Sequence, residues 1–330
     1  MNSELLVSVA LCTYNGERYI SSQLDTIINQ TYPNIEIIVV DDRSTDQTIS
    51  ILKSYQEAGK IKLYQNETNL GFIKNFEKAI SLCNGEYIAL SDQDDLWDLN
   101  KIEILVKSIK NHVLIYSDSE FANSEGESMG KVKSQYHNFA KGDSMAFILD
   151  YCTPGHAILF KKELINYLFP FPENMFHDWW ITFAAINLGE ITYIKDCLVK
   201  YRQHETSYTD NLEAKVITDL NKRRSKIASS MDARKKAIER TIAHLKTFYY
   251  CKSCTKENQR FILKLIVAYK QQATSYIAFR LLWIFILYGK RLFLIRKKSR
   301  LKLIAKEVVG IKSKVIFHKN MSYLRRFLGA

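Results

Sequence analysis

The sequence predicts an α/β fold built on an open sheet, and two observations carry that expectation. Short runs rich in Val and Ile alternate with segments of helical spacing through roughly the first ninety residues, and each run ends in polar residues. Leu5–Thr13 is the first run, its near-continuous apolar character matching a parallel strand covered on both faces. Glu17–Asn29 has helical spacing. Glu36–Asp42 contains Ile37-Ile38-Val39-Val40 and reads as the second strand, and Asp46–Tyr55 as a helix for which Ser44 or Thr45 supplies a cap. Ile61–Gln65, a helix over Phe72–Cys83 and a strand over Tyr87–Leu90 complete the pattern. In open α/β sheets ligands bind beyond the carboxyl ends of the strands. That places Thr13-Tyr14-Asn15-Gly16, Asp41-Asp42-Arg43-Ser44, Asn69-Leu70-Gly71 and Ser91–Trp97 on one edge.

Ser91-Asp92-Gln93-Asp94-Asp95-Leu96-Trp97 is the most pointed of these loops, with three carboxylates in four positions directly after a strand. On an extended segment Asp92 and Asp94 point to the same side, and oxygen ligation there favours Mg²⁺ or Mn²⁺. Such a cation clamps a diphosphate. Acidic surface turns are also common without any ion. No Gly-x-Gly-x-x-Gly opens the first helix and no Gly-x-x-x-x-Gly-Lys-Ser/Thr occurs, so a pyrophosphate here is held by metal and side chains, not by a glycine loop.

The order Cys-Thr-Tyr-Asn-Gly (12–16), Gln-Thr-Tyr-Pro-Asn (30–34), Val-Val-Asp-Asp-Arg-Ser-Thr-Asp (39–46), Asn-Leu-Gly-Phe (69–72), Asn-Gly-Glu-Tyr-Ile (84–88) and Ser-Asp-Gln-Asp-Asp-Leu-Trp (91–97) resembles the family 2 glycosyltransferases of GT-A fold. His177-Asp178-Trp179-Trp180 and Tyr201-Arg202-Gln203-His204 resemble the later motifs of its rhamnosyltransferase-like branch, and the likeness spans roughly residues 5–208.

The resemblance implies a role for each loop. Thr13, Tyr14, Asn15, Asn69, Lys74, Asp92 and Gln93 line the donor nucleotide and its phosphates, and Asp41 accepts from the imide N–H of uracil or thymine, since a carboxylate accepts and cannot donate. Asp92, Asp94 and His204 hold the metal. Asp178 is the expected general base: inverting transfer needs one group to take the acceptor proton, and a carboxylate between aromatic rings is partly desolvated, which raises its pKa. Out of that context, Asp178 reads as the cap of a helix over Trp179–Leu188 with the Trp pair in the core. Asp95, Trp97, Gly155, His156, Trp179 and Trp180 fall on the acceptor side. His137 reads as a surface residue of the polar loop Asn123–Gly142, expected to be mobile and to fold over the substrate.

Charge divides the chain. Residues 211–330 carry a net +23 and residues 1–210 a net −11, within an overall +12. A catalytic domain over 1–210 and a basic helical region over 211–330 follow. In Arg280–Lys298 the longest uncharged apolar run, Leu281–Gly289, is too short to span a bilayer, which takes about 20 residues. Two uses suit it: lying in the interface of an anionic membrane with Trp283, Phe285 and the leucines in the acyl boundary, or serving as an ordinary helical packing or oligomer surface with solvated Lys and Arg. Nucleic acid is set aside as a partner. The six cysteines are scattered and read as reduced thiols, and residues 4–13 are consumed by a strand, so the chain is expected in the cytoplasm at the inner membrane face.

The function expected is that of a metal-dependent, inverting, non-processive glycosyltransferase. By resemblance it moves L-rhamnose from dTDP-rhamnose, or another sugar from a dTDP or UDP donor, to a surface polysaccharide or lipid-linked glycan. Two competing readings use the same residues: a nucleotidyl- or phosphotransferase on the same metal–diphosphate geometry, and a non-catalytic membrane-associated scaffold.

Overall fold

A computed structural model of the chain describes residues 4–132, 139, 141–149, 153–204, 227–275, 277–292 and 308. His137 and the basic cluster Arg296-Lys297-Lys298 lie outside the described residues. The chain forms two compact units, one of residues 1–143 and 151–205, the other of 144–150 and 206–330. The second unit takes in residues 144–150 besides everything after 205.

In the first unit the strands and helices follow the alternation the sequence sets out. They run β1 (Val7–Thr13), α1 (Ile20–Ile28), β2 (Ile35–Asp41), α2 (Thr48–Glu57), β3 (Lys62–Gln65), α3 (Phe72–Ser81), β4 (Tyr87–Ser91), β5 (Leu96–Trp97), α4 (Lys101–Ile109), β6 (Leu114–Ala122) and β7 (Ser128–Val132). The short helix α5 (Met145–Leu149) belongs to the second unit. Then come β8 (Ile158–Lys161), α6 (Ile165–Leu168), α7 (His177–Leu188) and β9 (Ile191–Arg202). The second unit continues with α8 (Ile227–Tyr249), α9 (Lys256–Thr274) and α10 (Phe279–Leu292).

The sheet runs β3-β2-β1-β4-β8-β6-β9-β5, with β7 paired to β6. β1 to β4 are parallel; β8 lies antiparallel between β4 and β6, and β9 runs parallel to β6. Every residue of β1 is buried, as its apolar run requires. Val7, Val9 and Leu11 point to one face, where Ile20, Leu24 and Ile27 of α1, Leu52 of α2 and Ile102, Leu105 and Ile109 of α4 join them. α3 covers the opposite face, burying Phe76, Ala79 and Ile80.

Two local expectations change. Ser44 does not cap α2, because that helix starts only at Thr48, whose N–H donates to Asp46 Oδ1 at 3.0 Å; the Ser44 hydroxyl turns back to Asp41. Nor is the stretch from Asn123 simply a loop. Asn123 Oδ1 accepts from the N–H groups of Glu125 and Glu127, Gly126 adopts a positive φ of 84°, and this turn sends β7 back along β6. An Asn three residues before a Gly was the available signal.

No helix among the described residues is long and apolar enough to cross a membrane. Gly85, just before β4, sits so close to β1 that a Cβ there would lie 2.6 Å from the Leu6 carbonyl oxygen and 2.7 Å from the Ser8 nitrogen. Gly85→Ala is therefore expected to cost about 2 kcal/mol or more of stability, read as a lower urea midpoint with an unchanged slope.

Candidate active site

Parallel pairing brings the carboxyl ends of β1 and β2 level, with Thr13 opposite Asp41. The Thr13 hydroxyl donates to Asp41 Oδ1 at 2.9 Å, and Ser44 donates its N–H to Oδ2 at 2.8 Å and its hydroxyl to Oδ1. Asp41 is wholly buried, so its carboxylate first of all ties the two loops together. Asn15 continues the seam: its N–H donates to Ser44 Oγ at 2.9 Å and its Oδ1 accepts from Thr45 N–H at 2.8 Å, with Asn15 held at φ 49°.

The third loop depends on Asp42, which sequence reasoning passed over. Its carboxylate accepts from the N–H groups of Leu70 (2.7 Å) and Gly71 (2.8 Å) and from Asn66 Nδ2 (2.8 Å), while Asn69 Nδ2 reaches the Asp42 carbonyl at 3.3 Å. Lys74 is turned away, its ammonium on Glu77 (2.7 Å) and the Phe171 carbonyl (3.2 Å). Gln93 clamps the fourth loop to the first, accepting from Tyr14 N–H at 2.8 Å and donating to its carbonyl at 3.0 Å. The Gln93 amide occupies the space a side chain at Gly16 would need, 2.3 Å from a Cβ built there. Tyr14 itself remains half exposed.

The aspartates do not alternate as an extended segment would, because the chain bends at Gln93 and Asp94. The group whose ligand atoms converge is Asp92, Asp95 and His156, all within 4.8 Å of one another. Asp94 Oδ2 instead meets His204 Nε2 at 2.9 Å. Asp95 is fully buried; its Oδ1 accepts from Arg202 N–H at 3.1 Å, and its Oδ2 accepts no hydrogen bond. A buried carboxylate oxygen with no donor, beside a second carboxylate and an imidazole, fits a divalent cation, and the imidazole suits Mn²⁺ better than Mg²⁺. Burial pushes the Asp95 carboxyl well above its ordinary range, and Asp94 and Asp92 push it further; a bound cation would reverse that direction.

Three further residues, also missed by the sequence reading, hold this group from behind. Arg202 donates from Nε to the Asp94 carbonyl (2.7 Å) and from Nη1 to the Ser124 carbonyl (2.7 Å), with its guanidinium 4.7 Å over the Tyr19 ring. Ser119 Oγ lies 2.7 Å from His156 Nε2, leaving Nδ1 toward Asp95 at 3.8 Å, and the imidazole stacks on Tyr201. Lys101 is buried, donates to the His156 carbonyl at 2.7 Å and lies 3.3 Å from the Trp97 ring centre. Burial holds its ammonium pKa well below the ordinary value.

Several acceptor-side expectations change with this packing. Trp97 and Trp180 are interior, the former beneath Lys101 and the latter donating its indole N–H to the Leu168 carbonyl at 2.8 Å; neither offers a face for a sugar. His156 and Asp95 are likewise buried. Trp179 and Asp178 stay part-exposed in the first turn of α7, where Asp178 Oδ1 accepts from the Trp179 N–H at 2.8 Å. Gly155 packs beside them: a Cβ at that position would lie 3.0 Å from His177 Nε2 and 3.4 Å from Asp178 Cβ.

Residues 8–169 match the family model described as "Glycosyl transferase family 2". The dTDP-rhamnosyl transferase RfbG of Shigella flexneri is 30% identical over 212 residues, 60% of this chain and 72% of the relative. The chain belongs to glycosyl transferase family 2. A second relative, the UDP-Glc:alpha-D-GlcNAc-diphosphoundecaprenol beta-1,3-glucosyltransferase WfgD of Escherichia coli, is 28% identical over 220 residues, 63% of this chain and 81% of the relative. The architecture agrees with solved structures of GT-A fold. Staphylococcus aureus TarS 1-349, solved with UDP-GlcNAc, gives a TM-score of 0.55 at 18% identity over 92% of this chain and 82% of its own. The mannosyltransferase PcManGT of Pyrobaculum calidifontis, solved with GDP-Man and Mn²⁺, gives 0.51 at 17% identity over 96% and 87%. The protein is thus a glycosyltransferase, and the nucleotidyltransferase and scaffold readings fall away.

His177 makes the site's packing testable through pH. Its ring stacks on Phe76 with centroids 4.0 Å apart, its Nδ1 is buried without a partner, and burial lowers its pKa from 6.5 to about 3. The unfolded chain therefore binds a proton that the folded chain refuses, so stability is complete above pH 6.5 and falls as pH drops toward 3. Urea unfolding is expected to lose about 2 kcal/mol between neutral pH and about pH 5 from this group, and His177→Phe to remove that slope.

Proposed function

We propose that this family 2 glycosyltransferase is metal-dependent, inverting and non-processive, and that it transfers a sugar, L-rhamnose from dTDP-rhamnose in the first instance, to a lipid-linked or surface glycan at the cytoplasmic membrane face. The observation that carries the metal-dependent chemistry is the convergence of Asp92, Asp95 and His156 at the end of β4, with one buried carboxylate oxygen unsatisfied. The loops of β1, β2 and β4 that meet there are fastened to one another, as a pocket for a nucleoside diphosphate requires. The names of RfbG and WfgD support a nucleotide-sugar donor, and WfgD's a lipid-diphosphate acceptor. For L-rhamnose the support is the likeness to RfbG.

Each residue then has a chemical task. Thr13, Tyr14, Asn15 and Asp41 shape the base pocket, with Tyr14 stacking on the ring and Asp41 fixing the loop against which the base is read. Asn69 and Gln93 order the neighbouring loops. Asp92 and Asp95 with His156 hold the cation, and Asp94 with His204 forms an adjoining pair available to the diphosphate side. The cation, when bound, neutralises charge developing on the departing diphosphate. Asp178 takes the proton from the acceptor hydroxyl as its oxygen bonds to the anomeric carbon and the bond to the diphosphate breaks on the opposite face. Trp179 supplies the one part-exposed indole beside that carboxylate.

The deciding experiment screens the purified protein against a panel of dTDP-, UDP- and GDP-sugars, reading release of the nucleoside diphosphate and thermal shift. A clear preference for dTDP-rhamnose is expected; preference for another donor overturns the donor assignment alone. EDTA should abolish turnover and Mn²⁺ restore it, and Asp92→Asn should nearly abolish it; turnover in EDTA equal to that in excess Mn²⁺ would sink the metal reading. Asp178→Asn should keep donor affinity while turnover drops ~10²–10⁴-fold. Donor binding lost in step with turnover would move Asp178 out of the base role.

A further inference from the structure

Among the described residues of the second unit, α9 and α10 leave an apolar surface exposed. α10 is apolar around most of its circumference. One side is core: Leu281 and Phe285 are fully buried and Ile284 nearly so. The other side is a stripe spaced i, i+4, i+7, i+8, in which Phe279, Trp283, Ile286 and Leu287 are 64, 63, 57 and 59% exposed. Leu263 and Val267, one turn apart on α9, are exposed as well and join Phe279 and Trp283 along a groove of about 680 Å³. Lys264 and Arg280 line the same groove. Phe285, which the sequence placed in the acyl boundary beside Trp283, is instead the inner anchor of the helix.

We infer that this two-helix face is a docking surface for an anionic lipid bilayer. Side chains of this size left in water form a patch of the kind monomers seldom expose. Its chemistry is that of the headgroup boundary: an indole and a phenyl ring, aliphatic neighbours, and cations at the same level to meet lipid phosphates. α9 displays Lys256, Arg260, Lys264 and Lys270 against a single acidic residue, Glu257, and α10 has no acidic residue at all. Charge decides between a membrane and a second copy. α9 and α10 together carry seven Lys or Arg against one Glu, so apposing two such faces brings like charges together, whereas an anionic leaflet supplies the complement. The groove accepts the apolar part of the boundary and Lys264 and Arg280 its phosphates. The inference gives the membrane-face acceptor reading a physical surface, but it stands or falls apart from the donor chemistry.

The test is sedimentation of the full chain with vesicles of phosphatidylcholine, with and without phosphatidylglycerol, over a range of salt. Binding is expected only with phosphatidylglycerol and should weaken as salt rises. Trp283→Ser with Ile286→Ser should raise the lipid needed for half-binding by about tenfold or more, and Lys264→Glu with Arg280→Glu by a similar factor with a flatter salt dependence. All four positions are exposed or rim the groove, so urea midpoints and nucleoside diphosphate affinity should stay at the parent values; Phe285→Ala, by contrast, should lower the midpoint. Unchanged vesicle binding by both variants, binding indifferent to lipid charge, or a Trp283→Ser protein that turns from dimer to monomer while ignoring vesicles would each overturn the inference. Loss of vesicle binding with nucleotide-sugar turnover intact supports it, and an inactive protein that still binds vesicles would fault the enzymatic proposal instead.

Discussion

The hydrogen bonds that close the carboxyl edge of the sheet are the constraint on which the rest of the site depends. Parallel strands end in unpaired backbone groups and diverging loops, and nothing in the sheet itself keeps those loops together. Thr13, Asn15 and Ser44 supply the missing connections, with Asp41 accepting at the centre and Asp42 reaching across to the β3–α3 loop. Gln93 does the same for the loop after β4 by pairing with both backbone groups of Tyr14, much as another strand would. A cleft fastened this way is already formed before a ligand arrives, so little ordering entropy remains to be lost on binding.

The carboxylate cluster shows a second layer of the same logic. Asp95 and Lys101 are both fully buried and both destabilised in their charged forms by that burial, yet each is held by neighbours of opposite tendency: a backbone N–H from Arg202, a carbonyl from His156, the face of Trp97. Removing either side chain leaves its buried hydrogen-bond partner unsatisfied, which costs more than the bond itself contributes. The arrangement fixes the position of Asp92 and His156 at the expense of local stability, the usual exchange at a site of chemistry.

Much of this was legible in the sequence. Strand and helix periods placed the first four strands and three helices to within a few residues, and the polar run after each strand placed the loops. What escaped was whatever depends on contacts between distant segments. Asp92 and Asp94 looked like a pair because alternation was assumed where the chain bends, while Asp95, His156 and Ser119 come together only through β6 and the turn before β8. Trp180 and Trp179 are adjacent and chemically identical; the helix sends one inward and leaves the other at the surface. In α10 every position from Leu281 to Leu287 is apolar, so no polar stripe marks which side is core, and Phe285 and Trp283 could not be told apart.

The discontinuous division of the chain has a consequence for how the protein is made. α5 interrupts the catalytic unit in sequence yet packs with the helical one, where Phe147 meets the ring of Phe248 with centroids 6.4 Å apart. During synthesis α5 emerges from the ribosome well before its partner helices exist, so Phe147 has no Phe248 to meet until they follow. The C-terminal helices therefore complete the packing of a segment from the middle of the chain, and cutting the protein after residue 205 would strip α5 of its cover.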